Sequence, residues 1–311
     1  MDRAEALKEL KAMLEKAEAG PHYSIEQVQE EIEELLAPHN QVYLTGDTHG
    51  SFERVINFCR QMEVQPENTF IILGDAGLNY YNDGRDRRGK KELAKVPITF
   101  FCLHGNHEMR PSEALGYERR EYHGGQVWVE PEYPNILFAI DGEVYDFNGH
   151  SCLVIGGAYS VDKFYRLARG WSWFPDEQPS PEIKAKVERV LSEHNWKIDV
   201  VLSHTGPLKY EPVEAFLPMV DQSSVDKTTE MWLDEIESKL DYERWYFGHY
   251  HIEKEIDKIR IMHNDYTLLP QEISVAAEKD LIRRMHRQAE IVEALGLLDD
   301  DPTEGEGKEQ V

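Results

Sequence analysis

Residues able to do chemistry recur in this chain at the ends of apolar runs. VYLT is followed by GDTHG, TFIIL by GDAG, ITFFCL by HGNHE, DVVL by SHTGP and RWYF by GHYH. Asp47 and His49 are separated by one residue, as are His249 and His251. Side chains at that spacing on extended backbone project in the same general direction. With Asp75, Asn106 and His204 they supply carboxylate, imidazole and amide donors, the types that suit Mn, Fe, Zn or Co. A lone histidine is usually a satisfied core or surface group; five polar clusters, each closing an apolar run, make chance alignment the weaker explanation.

In this order and spacing, Gly46-Asp47-Thr48-His49-Gly50, Gly74-Asp75, Gly105-Asn106-His107-Glu108, Ser203-His204-Thr205-Gly206-Pro207 and Gly248-His249-Tyr250-His251 resemble the calcineurin-like metallophosphoesterase superfamily over about residues 40 to 270. GDTHG with GNHE is most similar to the branch of phosphoprotein phosphatases and diadenosine tetraphosphate hydrolases. The resemblance implies an α/β fold, a four-layer α/β/β/α sandwich, with two divalent metal ions at the strand ends. It implies that Asp47, His49 and His251 hold one ion, that Asn106, His204 and His249 hold the other, and that Asp75 bridges both. His107 is then the residue that touches substrate and assists the leaving group.

The physical chemistry agrees with that set. Two divalent ions about 3.5–4 Å apart need a shared carboxylate and a bridging water or hydroxide between them, and metal binding brings that water's pKa toward about 7. An uncoordinated imidazole such as His107 can give a departing alkoxide its proton. Gly105 is expected to turn the chain sharply, Glu108 to fix a neighbouring imidazole, and His104 to be structural. The expected activity is that of a dinuclear metal-dependent phosphoric ester hydrolase acting on a phosphomonoester or small phosphoanhydride, with manganese favoured. The alternatives are a phosphodiesterase or nuclease for short nucleotides, and a non-catalytic binding protein that keeps the fold.

The chain departs from that branch after Asp75. An acidic or amide residue and then an arginine belong three and four positions on, where this sequence has Leu78 and Asn79. The carboxylate that would orient His107 and the arginine that would grip phosphate are therefore missing from their expected places. Candidates for the phosphate are Arg85, Arg87 and Arg88 in the loop 79–89, Arg110, and Lys163 and Arg166 in the stretch 156–180. That stretch reads as a long irregular loop whose Tyr159, Tyr165, Arg169, Trp171 and Trp173 could form one wall of a substrate pocket.

The elements that position these groups follow from pattern. Short β-branched or apolar runs read as buried strands, 52–62, 181–194 and 228–240 as helices, and ILFAIDGEVYDFNGHSCLVIGG as antiparallel strands joined by turns. Residues 1–38 read as a helical extension: Leu7, Leu10 and Leu14 mark one helix, Gly20-Pro21 a break, and Ser24 with Gln27 a capping box for the next. Residues 39–270 form the main domain, 271–298 a further helix and 299–311 an acidic tail expected to be disordered. The N-terminal helices offer a surface for a protein partner.

Composition limits the partners. Lys and Arg number 34 against 59 Asp and Glu, a net charge of −25, which repels long nucleic acid. A phosphorylated small molecule, a nucleotide or a phosphoprotein remains as substrate. No run is apolar enough for a membrane span, and a charged N-terminus is unlike a signal peptide. Cys59, Cys102 and Cys152 stand singly in apolar surroundings, which fits small core residues in a reducing cytoplasm.

Overall fold

Strands whose residues are buried on both faces have no use for alternation, and the apolar runs before each polar cluster become such strands. The computed structural model describes residues 41–269 apart from Leu217 and Met219. The N-terminal helices, the C-terminal helix and the acidic tail expected from the sequence lie outside the described residues. In chain order the elements are β1 (Val42–Thr45), α1 (Glu53–Gln61), β2 (Thr69–Ile72), α2 (Gly84–Leu93), β3 (Thr99–Cys102), β4 (Glu118–Tyr122), β5 (Gly125–Val129), β6 (Ile136–Ala139), β7 (Val144–Phe147), β8 (His150–Ile155), α3 (Lys163–Arg169), α4 (Pro181–Glu193), β9 (Val200–Ser203), α5 (Thr228–Glu237), β10 (Arg244–Phe247), β11 (Lys254–Ile256), β12 (Ile259–Ile261) and β13 (Thr267–Leu269).

They build two sheets flanked by helices. A seven-stranded sheet has the order β13-β1-β2-β3-β6-β5-β4 and a six-stranded sheet the order β11-β12-β10-β9-β8-β7. Strands β1, β2, β3 and β6 are mutually parallel, as are β8, β9, β10 and β12, with antiparallel strands at the edges. Val42, Leu44, Ile71, Leu73, Phe101 and Leu103 of the first sheet share a core with Cys152, Val154, Val200, Leu202 and Tyr246 of the second. The other face of the second sheet, with Leu153, Val201, Trp245 and Phe247, packs on Val187 and Leu191 of α4 and on Trp232, Leu233 and Ile236 of α5. Phe58 of α1 covers the outer face of the first sheet, edge-on to Tyr43 and Phe70 and stacked on Tyr266.

Local chemistry explains where helices start. Ser180 caps α4 by accepting from the Ile183 N–H at 3.3 Å, with Pro181 in its first turn. Asp83 caps α2 by accepting from the Arg85 N–H at 2.8 Å. Three expectations change. The loop 79–89 becomes helix from Gly84 onward, and the irregular 156–180 stretch contains α3, closed by Gly170 in the left-handed region. The buried residue of α3 is Arg166, while Phe164, Tyr165 and Leu167 are half or more exposed, so apolar periodicity could not reveal this helix. In the third, β7 and β8 form the expected hairpin across Asn148-Gly149, but β6 leaves it to lie parallel to β3 in the other sheet.

All three cysteines are free and buried, and no described helix is long and apolar enough to cross a membrane. Phe101 is wholly buried between the sheets, edge-on to Tyr145 at 4.9 Å and Phe147 at 5.4 Å. Phe101→Ala is expected to lower the unfolding free energy by about 3–5 kcal/mol, read as a fall in the urea midpoint with unchanged slope.

Candidate metal centre

Parallel strands deliver their carboxyl ends to one edge, and the two sheets bring two such edges together. Gly46–Gly50 follows β1, Gly74-Asp75 follows β2, and Gly105–Glu108 follows β3; His204 follows β9 and Gly248–His251 follows β10. The seven expected ligands meet there. His49 Nε2 lies 2.9 Å from His251 Nε2, which lies 3.1 Å from Asp47 Oδ2. Asn106 Oδ1 lies 2.8 Å from His204 Nε2 and 3.1 Å from His249 Nδ1. Asp75 Oδ2 stands between the two groups, 3.6 Å from His204 Nε2 and 4.0 Å from His49 Nδ1.

The hydrogen bonds behind these atoms test whether cations fit. His204 is completely buried and its Nδ1 lies 2.8 Å from the Leu73 carbonyl, an oxygen that can only accept. Nδ1 therefore carries the proton and Nε2 presents a lone pair. Asn106 donates its Nδ2 to Ser160 Oγ at 2.8 Å, which turns Oδ1 toward that lone pair. Two acceptors face each other with no proton between them, an arrangement that a cation resolves. The residues therefore fit a bound divalent cation.

Electrostatics keeps Asp47 and His249 in the forms that bind metal. Burial, and then the neighbouring His204, pull His249 down to about 3, so its ring is neutral. Burial pushes Asp47 up, but the His251 hydrogen bond and the nearby imidazoles hold it well below the usual carboxylate range. That same bond raises His251. His107 is drawn down to about 3 by burial and then by the Arg166 guanidinium. Its ring is therefore neutral, and a neutral ring still carries one N–H to give.

Backbone geometry is unusual here. His49, Asp75, His249 and His251 all have φ between 46° and 64°. Such left-handed non-glycine residues cost of order 1 kcal/mol or more each and persist where surroundings over-determine them. Arg54 is one cause: it donates to the carbonyls of Asp47 and His263 at 2.9 Å and to Thr45 Oγ1 at 2.7 Å, tying the first loop to the turn before β13. Gly105 acts by size rather than by turning, because a methyl group there would overlap the Asp75 carboxylate and amide. Glu108 does not fix an imidazole; it accepts from the Gly105 N–H at 3.0 Å and binds backbone near Asp75. Burial, then the charge of Asp75, push Glu108 up to about 8. His104 is buried and its carbonyl accepts from Gly157, a structural role.

His107 sits beside the ligands, its backbone N–H donating to Asp75 Oδ1 at 2.8 Å. The expected phosphate cations separate into two sets. Arg85, Arg88 and Arg166 line a cleft of about 700 Å³ with His49, His107, Tyr80, Tyr81 and Trp171. Arg87 borders a different surface hollow, Arg110 is spent on Asp141 and the Asp176 carbonyl, and Lys163 stacks on Trp173 at 3.9 Å. A second cleft, of about 470 Å³, meets the first at His49 and His107 and takes Tyr159, Phe216, Tyr250 and Ile252 as walls. Of the aromatic wall expected from 156–180, Trp171 therefore borders one cleft and Tyr159 the other. Tyr165 packs edge-on against Trp171, Arg169 lies over Tyr165, and Trp173 donates to Glu177.

Leu78 and Asn79 turn away from this site. Leu78 is fully buried, and Asn79 accepts from the Tyr117 hydroxyl at 2.6 Å, which itself accepts from buried Lys90. Sequence reasoning missed Arg54, Ser160, Asp162 and Tyr80. Asp162 meets Arg166 one helical turn on, but the contacts of Arg54 with His263, Ser160 with Asn106, Tyr80 with Arg166 and Asp162 with His107 join positions far apart in the chain, for which spacing carries no signal.

A family model described as calcineurin-like phosphoesterase matches residues 41–253. No curated protein matches the chain. Among solved structures, it resembles a Thermus thermophilus protein at 11% identity and TM-score 0.42, covering 72% of this chain and 88% of that one. It resembles a phosphopantetheinyl hydrolase from Mycobacterium tuberculosis at 15% identity and TM-score 0.41, with coverage of 72% and 88%. An archaeal phosphodiesterase is similar at 10% identity and TM-score 0.29, with coverage of 72% and 82%.

The close approach at Gly105 yields a test. Gly105→Ala is expected to weaken divalent-metal binding at least about tenfold, through displacement of the shared carboxylate. Gly84→Ala, where added bulk meets open space, should bind metal as the wild type does. Elemental analysis after dialysis against a metal buffer reads both.

Proposed function

Because the chain belongs to the calcineurin-like phosphoesterase family, we propose that it hydrolyses a phosphomonoester or small phosphoanhydride, using two divalent metal ions held within a domain spanning 39–270. The observation that carries this reading is the lone-pair confrontation of His204 Nε2 and Asn106 Oδ1 at 2.8 Å, with Asp75 placed between it and the Asp47, His49 and His251 group. Asp47, His49 and His251 would hold one ion, Asn106, His204 and His249 the other, and Asp75 both. Bound there, the ions supply Lewis-acid activation of water and neutralise phosphoryl oxygens. Manganese is our first choice.

The chain's own groups do the rest. His107, anchored through its backbone to Asp75, directs a neutral ring N–H at the departing oxygen. Such a donor stabilises developing negative charge without first having to be protonated. Arg85, Arg88 and Arg166 border the cleft from which phosphate would enter. The GDTHG and GNHE motifs support a reading near the phosphoprotein phosphatase and diadenosine tetraphosphatase branch, and the free buried thiols suit a reducing cytoplasm. A small phosphorylated metabolite, a nucleotide or a phosphoprotein fits this reading.

One observation favours a second reading. His49 and His107 border clefts on two sides, which gives room for substituents on both sides of a phosphorus atom, as in a phosphodiester.

The test is hydrolysis of aryl phosphate, bis-aryl phosphate and a nucleotide panel with added Mn, alongside bound-metal counts. Asp75→Asn is expected to lose metal from both positions and turnover by at least about a hundredfold. His107→Ala should keep its metal and lose about a hundredfold in kcat. Preference for the bis-aryl ester selects the second reading. Two bound metals with no turnover on any ester would leave a binding protein that retains the fold, and equal metal loss in both variants would refute the division of roles.

A further inference from the structure

Helix α3 has one buried side chain, the guanidinium of Arg166, and its donors can be accounted for one by one. Nε donates to Asp162 Oδ2 at 2.7 Å, and Nη1 donates to the Tyr80 hydroxyl and the Ser172 carbonyl, each at 3.1 Å. Nη2 meets the ring of His107 at Nδ1, with Nε2 farther off at 3.2 Å. A guanidinium has five N–H groups and no lone pair, so one Nη2 N–H is left over, at the cleft that Arg166 shares with His49 and His107. For the same reason His107 Nδ1 must accept, which puts the ring proton on Nε2. Asp162 Oδ1 lies 3.8 Å from that nitrogen and is a buried oxygen with no hydrogen bond among the described residues.

Resting on the phosphoesterase reading, we propose that Asp162 and Arg166, one helical turn apart on α3, form the carboxylate–guanidinium pair that sets His107 and grips the substrate phosphoryl group. Asp162 is a positioning residue, and its free oxygen faces the His107 Nε2–H edge. Arg166 fixes the tautomer with one N–H and donates the spare one to a non-bridging phosphoryl oxygen. In the step served, the bond from phosphorus to the leaving oxygen breaks as the bond to the oxygen of water forms. The departing oxygen, hydrogen-bonded by the Nε2–H of His107, takes up a proton released by that water.

A purely structural account of the pair is weaker. Asp162 occupies the N-cap of α3 yet makes no capping bond, having turned to Arg166 instead. The aromatic residues of the helix stay exposed while its arginine is buried, the reverse of what packing favours. A partly buried ion pair is also poor evidence of stabilisation, since apolar replacements often serve as well. Leu78 and Asn79 are committed to the core, so those two positions cannot supply these groups.

The experiment uses the full chain loaded with zinc. In ¹⁵N-histidine spectra, wild-type His107 should show the Nε2–H tautomer, and Arg166→Met should shift it to the exchange-averaged pattern; a wild-type proton on Nδ1 overturns the proposal even if no variant folds. By calorimetry, Arg166→Met should bind inorganic phosphate about tenfold more weakly, whereas Asp162→Asn should bind it as the wild type does. Across aryl phosphates of rising leaving-group pKa, Asp162→Asn should lose progressively more kcat at nearly constant KM. A uniform loss, or none, sinks the role of Asp162, and unchanged phosphate affinity in Arg166→Met sinks that of Arg166. If the wild type cleaves no ester, the phosphoesterase reading fails, while the tautomer and phosphate measurements still judge the pair.

Discussion

Gathering carboxylates and imidazole lone pairs into a few ångströms, on backbone that four of them hold in the left-handed region, is the constraint to which the rest of this protein answers. Apart from the hydrogen bond between His251 and Asp47, little in the cluster attracts its own members. Asp47 and Asp75 are both buried carboxylates, and His204 Nε2 and Asn106 Oδ1 turn acceptors toward each other. The arrangement survives because it is imposed from outside by strands that are buried on both faces and shift only at the cost of a close-packed core.

The imposition is visible in single contacts. Arg54 collects carbonyls from the loop after β1 and from the turn before β13, so loops more than two hundred residues apart share one cation. The Leu73 carbonyl selects the tautomer of His204, and Ser160 selects the orientation of Asn106. Glu108 holds backbone rather than a side chain, and Gly105 leaves the gap into which the Asp75 carboxylate fits. Each contact is modest, and together they place the donors before any ion binds, which is preorganisation.

Charge is arranged in the same spirit. A chain of net charge −25 would repel any phosphate from afar, yet the larger cleft beside the candidate metal ligands carries Arg85, Arg88 and Arg166 alongside Asp86 and Glu92. The bound divalent ions would reverse the local sign further. Long-range repulsion opposes an extended polyanion, whose remaining phosphates would stay in the repulsive field.

By itself the sequence determined the ligand types, their order and the strands that carry them. That Asp47, His49, Asp75, Asn106, His204, His249 and His251 meet at one edge was legible because few residue types can serve as metal donors and because apolar runs ending in glycine mark strand ends. Helices α1, α4 and α5 were legible from apolar spacing. Helix α3 was not, since its buried residue is an arginine, and neither was the transfer of β6 to the other sheet, which depends on which strand edge is free. The pairing of Arg166 with His107, the Asp162 carboxylate beside them, and the burial of Leu78 and Asn79 were decided by tertiary structure alone. A charged side chain reports its residue type in sequence, but which group neutralises it depends on distances that only the packed sheets establish.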